Sequence, residues 1–159
     1  MSDSTLYDDD ILLWSEQQAA ALRKLGATRR YVPNELDIKN VAEEIESVGR
    51  SELAAVQSYL RLILLHLAKL ALENDSDAAL HWQGEILGFH ADMIGRYAPS
   101  MRQRINLDTI WRSARERASL THKGKQNSSA DLPEENPFSL DDLIADQMDG
   151  LALAQRLRH

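Results

Sequence analysis

The chain has 159 residues, a formal net charge of −7 (18 Lys and Arg against 25 Asp and Glu) and 43% hydrophobic residues. That describes one modest domain, long enough to bury about 70% of the surface of its unfolded chain without a metal or disulfide staple. The absence of cysteine excludes a disulfide framework, thiolate zinc fingers, iron–sulfur clusters and a cysteine nucleophile. Met1 to Asp10 show neither the basic nor the apolar region of a secretory signal, which makes the cytoplasm the expected location.

Leu and Ala dominate while Gly (7) and Pro (4) are scarce, a balance that favours helix almost throughout. Asp8 to Asp10 precede Ile11-Leu12-Leu13-Trp14, where a capping carboxylate and the positive end of the helix dipole predict a first helix, ending near Leu25 at Gly26. Pro33 to Leu36 read as loop, and Asp37 caps a second helix. From Ile38 to Leu72 the apolar positions Ile38, Val41, Ala42, Ile45, Gly49, Val56, Leu60, Ile63, Leu67 and Leu70 hold one face at about 100° per residue. One long helix over 38–72 is the simplest reading, with a break at Gly49-Arg50-Ser51 as the alternative. Past Leu60 the apolar residues surround the axis, which predicts the central, most enclosed helix of the fold. Its most apolar stretch, Leu62 to Leu72, is interrupted by His66 and Lys69 and falls short of the roughly 20 residues needed to span a membrane, so no membrane contact is expected.

Asn74 to Asp77 form a polar turn before a third helix from Ala78 to about Tyr97. Two apolar lines, Trp82, Ile86, Phe89 and Met93 beside Leu80, Leu87, Ala91 and Ile94, predict a wide buried face. Pro99 suits a first helical position, and Asn106 or Asp108 would cap a helix carrying Ile110, Trp111, Ala114 and Ala118 inward. Residues 122–137 have no periodic apolar signal and read as a surface connection or locally disordered segment. Ser139-Leu140-Asp141-Asp142 resembles a capping box opening a short C-terminal helix, and Leu151 to His159 either extend it or fray. The sum is an all-α, bundle-like single domain of four to six helices around the 38–72 helix.

The run Leu36-Asp37, Asn40, then Ala42-Glu43-Glu44-Ile45-Glu46-Ser47-Val48-Gly49-Arg50-Ser51-Glu52 resembles the bacterial and cyanobacterial family known as domain of unknown function 29 (DUF29). Tyr7, Asp10, Trp14, His66-Leu67 with Lys69, Trp82, Pro99-Ser100-Met101, Ala114-Arg115 and Leu132 to Leu140 extend the resemblance over most of the chain. Leu70 to Leu80 depart from it, being acidic where the family often carries an aromatic and basic stretch. The resemblance implies an all-α fold and, as the family's name says, no known activity.

Three constellations are candidates for chemistry. Glu44, Glu52 and His66 form the first: Glu52 falls within the apolar stripe of its helix, where a carboxylate loses hydration unless it is paired, so an acid–base or ligand role competes with pairing to an arginine. Glu52 and His66 are 14 residues apart, about 21 Å along a straight helix, and share a site only if the helix breaks. Arg50 and Lys69 are candidate binding residues beside them. The histidines come second: only His81 and Glu85 have the i, i+4 spacing of a ligand pair, so no metal site and no cofactor are expected. Third, residues 96–125 carry eight basic side chains, among them Arg102, Arg104, Arg112 and Arg115, against two acidic ones. Nucleic-acid binding is the weaker alternative for this segment, because the sequence pI is near 5.2. The preferred reading pairs these arginines with acidic segments of the same chain or of a second copy. With no nucleophile elbow or Gly-rich phosphate loop, the expectation is a non-catalytic interaction or regulatory module that binds a protein or itself; a carboxylate–histidine enzyme or metal-binding bundle is the alternative.

Overall fold

The computed structural model describes residues 5–28, 31–73, 77–121 and 131–158. Among them are seven α-helices and one 3-10 helix and no strand: α1 (Thr5–Asp9), α2 (Ile11–Thr28), α3 (Ile38–Leu72), α4 (Asp77–Ile94), the 3-10 helix Pro99–Arg104, α5 (Leu107–Thr121), α6 (Leu140–Ile144) and α7 (Gly150–Gln155). The fold is all-α around a long helix, as the composition predicts. Most of the predicted turn at 74–77 and of the connection at 122–137 lies outside the described residues, as do Lys123 and Lys125.

The helix starts follow their predicted caps. Asp10 separates α1 from α2 and caps α2, accepting from the Leu13 amide at 3.0 Å. Asp37 accepts from the Asn40 amide at the start of α3 and Asn106 from the Thr109 amide at the start of α5. Ser139 and Asp142 complete the capping box of α6, where the Ser139 amide and then the Arg156 guanidinium hold the Asp142 carboxyl below its ordinary value. The predicted stop at Gly26 does not occur. α2 runs on to Thr28, and Gly26 instead lies where a Cβ would come within 3.0 Å of the Ile38 side chain. α3 is continuous through Gly49-Arg50-Ser51, which removes the two-helix alternative.

The residues fall into two compact units, 1–55 with 96–104 and 56–95 with 105–159. In the first, Leu12, Ser15 and Ala19 of α2 are buried, and Ser15 and Leu12 lie against Gly49 of α3. The Asp10 carboxylate receives Ser100 Oγ at 2.6 Å and the Ser100 amide at 2.8 Å, tying the 3-10 helix to the start of α2. Burial pushes this carboxyl up, but the hydrogen bonds from Ser100 and Leu13 outweigh it and hold it below its ordinary value.

In the second unit Ile63, Leu64, Leu67, Ala68 and Leu70 of α3 are fully buried, the enclosed character the sequence predicts for this half. α4 turns Ala79, Ile86, His90 and Met93 inward, and α6 and α7 pack against it. Trp111 of α5 is buried edge-on to Phe138 and donates to the Pro133 carbonyl at 3.2 Å. Arg158 donates to the Leu70 carbonyl, anchoring the last described turn. Among the described residues α3 is the one helix long and apolar enough to cross a membrane by length and composition, and half of its apolar window is buried in the protein, as in a core helix.

Candidate functional site

The predicted Glu44, Glu52 and His66 are not brought together. Glu44 is exposed. Glu52 is held in the first unit by Arg96, whose Nη1 lies 3.0 and 2.9 Å from its two oxygens. Arg50 joins an exposed lattice in which it and Arg23 both reach Glu43 and Glu46. The hydrogen bond from Arg23 holds the Glu46 carboxyl below its ordinary value, and Glu46 in turn raises Arg23. Arg104 pairs with Glu16 at 2.9 Å and Arg115 donates to the Leu132 carbonyl, so these two of the five predicted binding arginines have partners within the chain. Arg102 is exposed. Arg112 has no hydrogen bond or ion pair among the described residues and lines an open polar cleft with Asp108, Glu134, Glu135 and Asn136.

His66 does meet a carboxylate, that of Glu85 on α4. Buried on α3, His66 directs Nδ1 at the Leu62 carbonyl oxygen at 2.7 Å and Nε2 at Glu85 Oε2 at 2.7 Å. The carbonyl can only accept, so Nδ1 donates to it, and Nε2 faces the Glu85 carboxyl group. The other Glu85 oxygen lies 3.5 Å from Nε2 of the exposed His81, one turn back along α4. Phe89 meets the His66 ring edge-on, and Lys69 sits 5.7 Å from the Trp82 ring centroid, a cation–π contact beside the pair. Among the described residues no three His, Asp or Glu side chains are arranged to hold a metal ion. The i, i+4 spacing of His81 and Glu85 was visible in the sequence; the approach of Glu85 to His66 depends on how α4 docks, which spacing does not encode.

Glu85→Gln is expected to place an uncharged amide against His66 Nε2, keeping a hydrogen bond but removing the carboxyl group. Ring nitrogen NMR should then show the His66 Nε2 resonance moved in the variant while Nδ1, bonded to the Leu62 carbonyl, stays in place; identical spectra would overturn the contact. Glu85→Ala strands a buried ring nitrogen and should cost about 1–3 kcal/mol in urea denaturation.

α4 carries a second feature, on its outer side. The predicted wide buried face is corrected: the inward arc holds Ala79, Ile86, His90 and Met93, whereas Leu80 is 76% and Leu87 58% exposed, with Ala91 exposed beside them. At 100° per residue Leu80, Gly84, Leu87 and Ala91 fall within about 60° of one another, and Asp77, His81 and Asp92 occupy the adjoining 60°. A Cβ on Gly84 or Gly88 would meet nothing within 4 Å, so this side of the helix is open. Along its apolar edge runs a groove of about 290 Å³ between α4 and α7, lined by Gln83, Ile86, Leu87, Met148 and the Asp149-Gly150-Leu151 turn.

Fold and site together define an all-α protein with an internal His–Glu pair and an exposed apolar helix face. The chain belongs to the family described as "Domain of unknown function DUF29", whose model matches residues 6–148. It is similar to an alpha-helical protein of unknown function from Rhodospirillum rubrum, known from its crystal structure, at 30% sequence identity and a TM-score of 0.90, covering 96% of this chain and 98% of that one. No curated protein matches the chain.

Proposed function

We propose that this chain is a non-catalytic, cytoplasmic interaction module that binds a protein partner through the outer face of α4. The observation that carries this reading is the exposure of Leu80 and Leu87 on one side of a single helix, beside an open groove. Contiguous apolar surface rimmed by polar residues is characteristic of interaction sites, whereas isolated exposed apolar residues are ordinary. The arginines of the basic segment support it from the other side. Arg96, Arg104 and Arg115 are engaged with Glu52, Glu16 and the Leu132 carbonyl, so three of the eight basic side chains of that segment turn to separate partners within the chain rather than to one common face.

A photo-crosslinking residue at position 80 should give a discrete higher-mass adduct in cells, and the same residue at the exposed Gln103 should not. Adding Leu87→Gln should abolish the adduct while changing the free energy of unfolding by no more than a neutral surface change, about 0.5 kcal/mol. Equal adducts from positions 80 and 103, or an adduct indifferent to Leu87→Gln, would overturn the reading.

A further inference from the structure

The outer face of α4 is not only apolar; its charge specifies what fits it. We infer that the partner presents an amphipathic α-helix with an apolar stripe for Leu80, Leu87 and the α4–α7 groove, and with lysine or arginine on the flank that faces Asp77 and Asp92. This deepens the interaction reading above and rests on it.

Three observations lead there. First, the groove is open and, at about 290 Å³, no larger than the smallest ligand pockets, a size suited to one or two apolar anchors of a docking helix. The bare Gly84 lets a second helix approach the α4 backbone closely. Second, Asp77 and Asp92 are exposed and have no hydrogen bond or ion pair among the described residues, although the nearby Glu85 is fully committed to His66 and His81. Asp146, in the turn between α6 and α7, is likewise exposed and unpaired among the described residues. Asp77 and Asp92 leave an acidic flank beside the apolar strip, and complementary charge on a partner is what such a flank selects.

Third, the same charges disfavour the other occupants. A second copy packed antiparallel with Gly84 at the dyad would bring Asp77 of one chain to the height of Ala91 in the other, next to Asp92 on the same flank. Like charges so placed repel. An anionic membrane or a nucleic acid meets the same acidic rim.

The test uses the full chain and two synthetic helical peptides with one leucine stripe, flanked by lysine in the first and by glutamate in the second. Binding is read by fluorescence anisotropy at physiological salt, with circular dichroism confirming that each variant is folded. The lysine peptide should bind the parent. Its affinity should fall at least tenfold in Leu80→Gln/Leu87→Gln, which leaves the protein's charge unchanged, and at least tenfold in Asp77→Asn/Asp92→Lys. The glutamate peptide should prefer the Asp variant to the parent. If both peptides bind in a leucine-dependent way but ignore the Asp substitutions, the charge inference fails while the interaction reading stands. If neither peptide shows leucine-dependent binding, or the lysine peptide binds the Leu variant undiminished, both the fit and the inference fail. A parent that sediments as a dimer, dissociated by Leu87→Gln, would assign the face to a second copy and overturn the inference.

Discussion

Gly49→Ala should lower the free energy of unfolding by about 1–3 kcal/mol, and the thermal midpoint with it. Gly49 sits in the middle of α3, where alanine is intrinsically preferred to glycine by about 1 kcal/mol, so propensity alone predicts the opposite sign. Packing decides the outcome. A Cβ at position 49 would overlap Ser15 Oγ and come within 3.0 Å of the Leu12 Cα and 3.1 Å of Leu12 Cδ1. Leu12 offers backbone, which cannot swing aside, and Ser15 is fully buried with its hydroxyl donating to the Leu12 carbonyl at 2.9 Å. Overpacking of this kind costs about 1–3 kcal/mol, and displacing the buried Ser15 hydroxyl adds a lost hydrogen bond of about 1 kcal/mol. Ser15→Ala in the same chain should recover part of the loss by removing one of the two clashes. Gly84→Ala and Gly88→Ala serve as controls: both positions face open space in α4, and both substitutions should be neutral or stabilising. An alanine at 49 that stabilises the protein as much as these would show that α2 and α3 do not approach as described.

Gly49 also shows what a one-dimensional pattern can and cannot carry. In sequence it marks either a helix break or a position on the apolar stripe; its real role is to admit the α2 backbone at Leu12, a fact about a neighbour 37 residues away. Caps are local, and Asp10, Asp37, Asn106 and the Ser139–Asp142 box were all legible, because each needs a partner only three residues on. The long helix was legible because its stripe keeps phase from Ile38 to Leu70. α4 was misjudged for the complementary reason. Hydrophobicity marks Leu80 and Leu87 as candidates for burial, but burial requires a neighbour, and the helices that pack on α4 cover other parts of its circumference.

The same distinction separates the parts of the candidate site. Glu52 within the stripe correctly signalled a carboxylate needing a cation, and Arg96 supplies it from the turn after α4. His66 signalled a buried imidazole, but its partner came from a helix whose docking is set by side chains such as Phe89 and Trp82 rather than by any motif. The arginine-rich segment looked like a face because its residues are adjacent in sequence. In space Arg96, Arg104 and Arg115 point to different partners, and proximity along the chain says nothing about convergence.

Trp111→Ala should have the largest effect of any single truncation in the second unit, about 3–5 kcal/mol. The side chain is 1% exposed on the buried face of α5 with Ile110, Ala114 and Ala118. Three alanine-sized or aliphatic neighbours cannot close over the volume of an indole, so the cavity persists. The loss also reaches beyond α5. Trp111 Nε1 donates to the Pro133 carbonyl, its ring meets Phe138 edge-on at 6.2 Å, and Arg115 one turn on donates to the Leu132 carbonyl. The segment from Leu132 to Phe138 has no helix of its own and is held to α5 by these contacts, with Leu132 and Phe138 buried. Trp111→Phe separates the two contributions: it keeps most of the apolar contact and removes the indole donor, which should cost about 1 kcal/mol. Hydrogen exchange measured by mass spectrometry should then show faster exchange at residues 131–139 in Trp111→Phe with little change in α4, whereas Trp111→Ala should accelerate exchange across the whole unit. Because the total stability of a domain of this size is about 5–15 kcal/mol, the alanine variant should be close to its unfolding threshold at growth temperature. Retention of parental stability by Trp111→Ala, or unchanged exchange at 131–139 in Trp111→Phe, would mean that this segment is held by something other than α5.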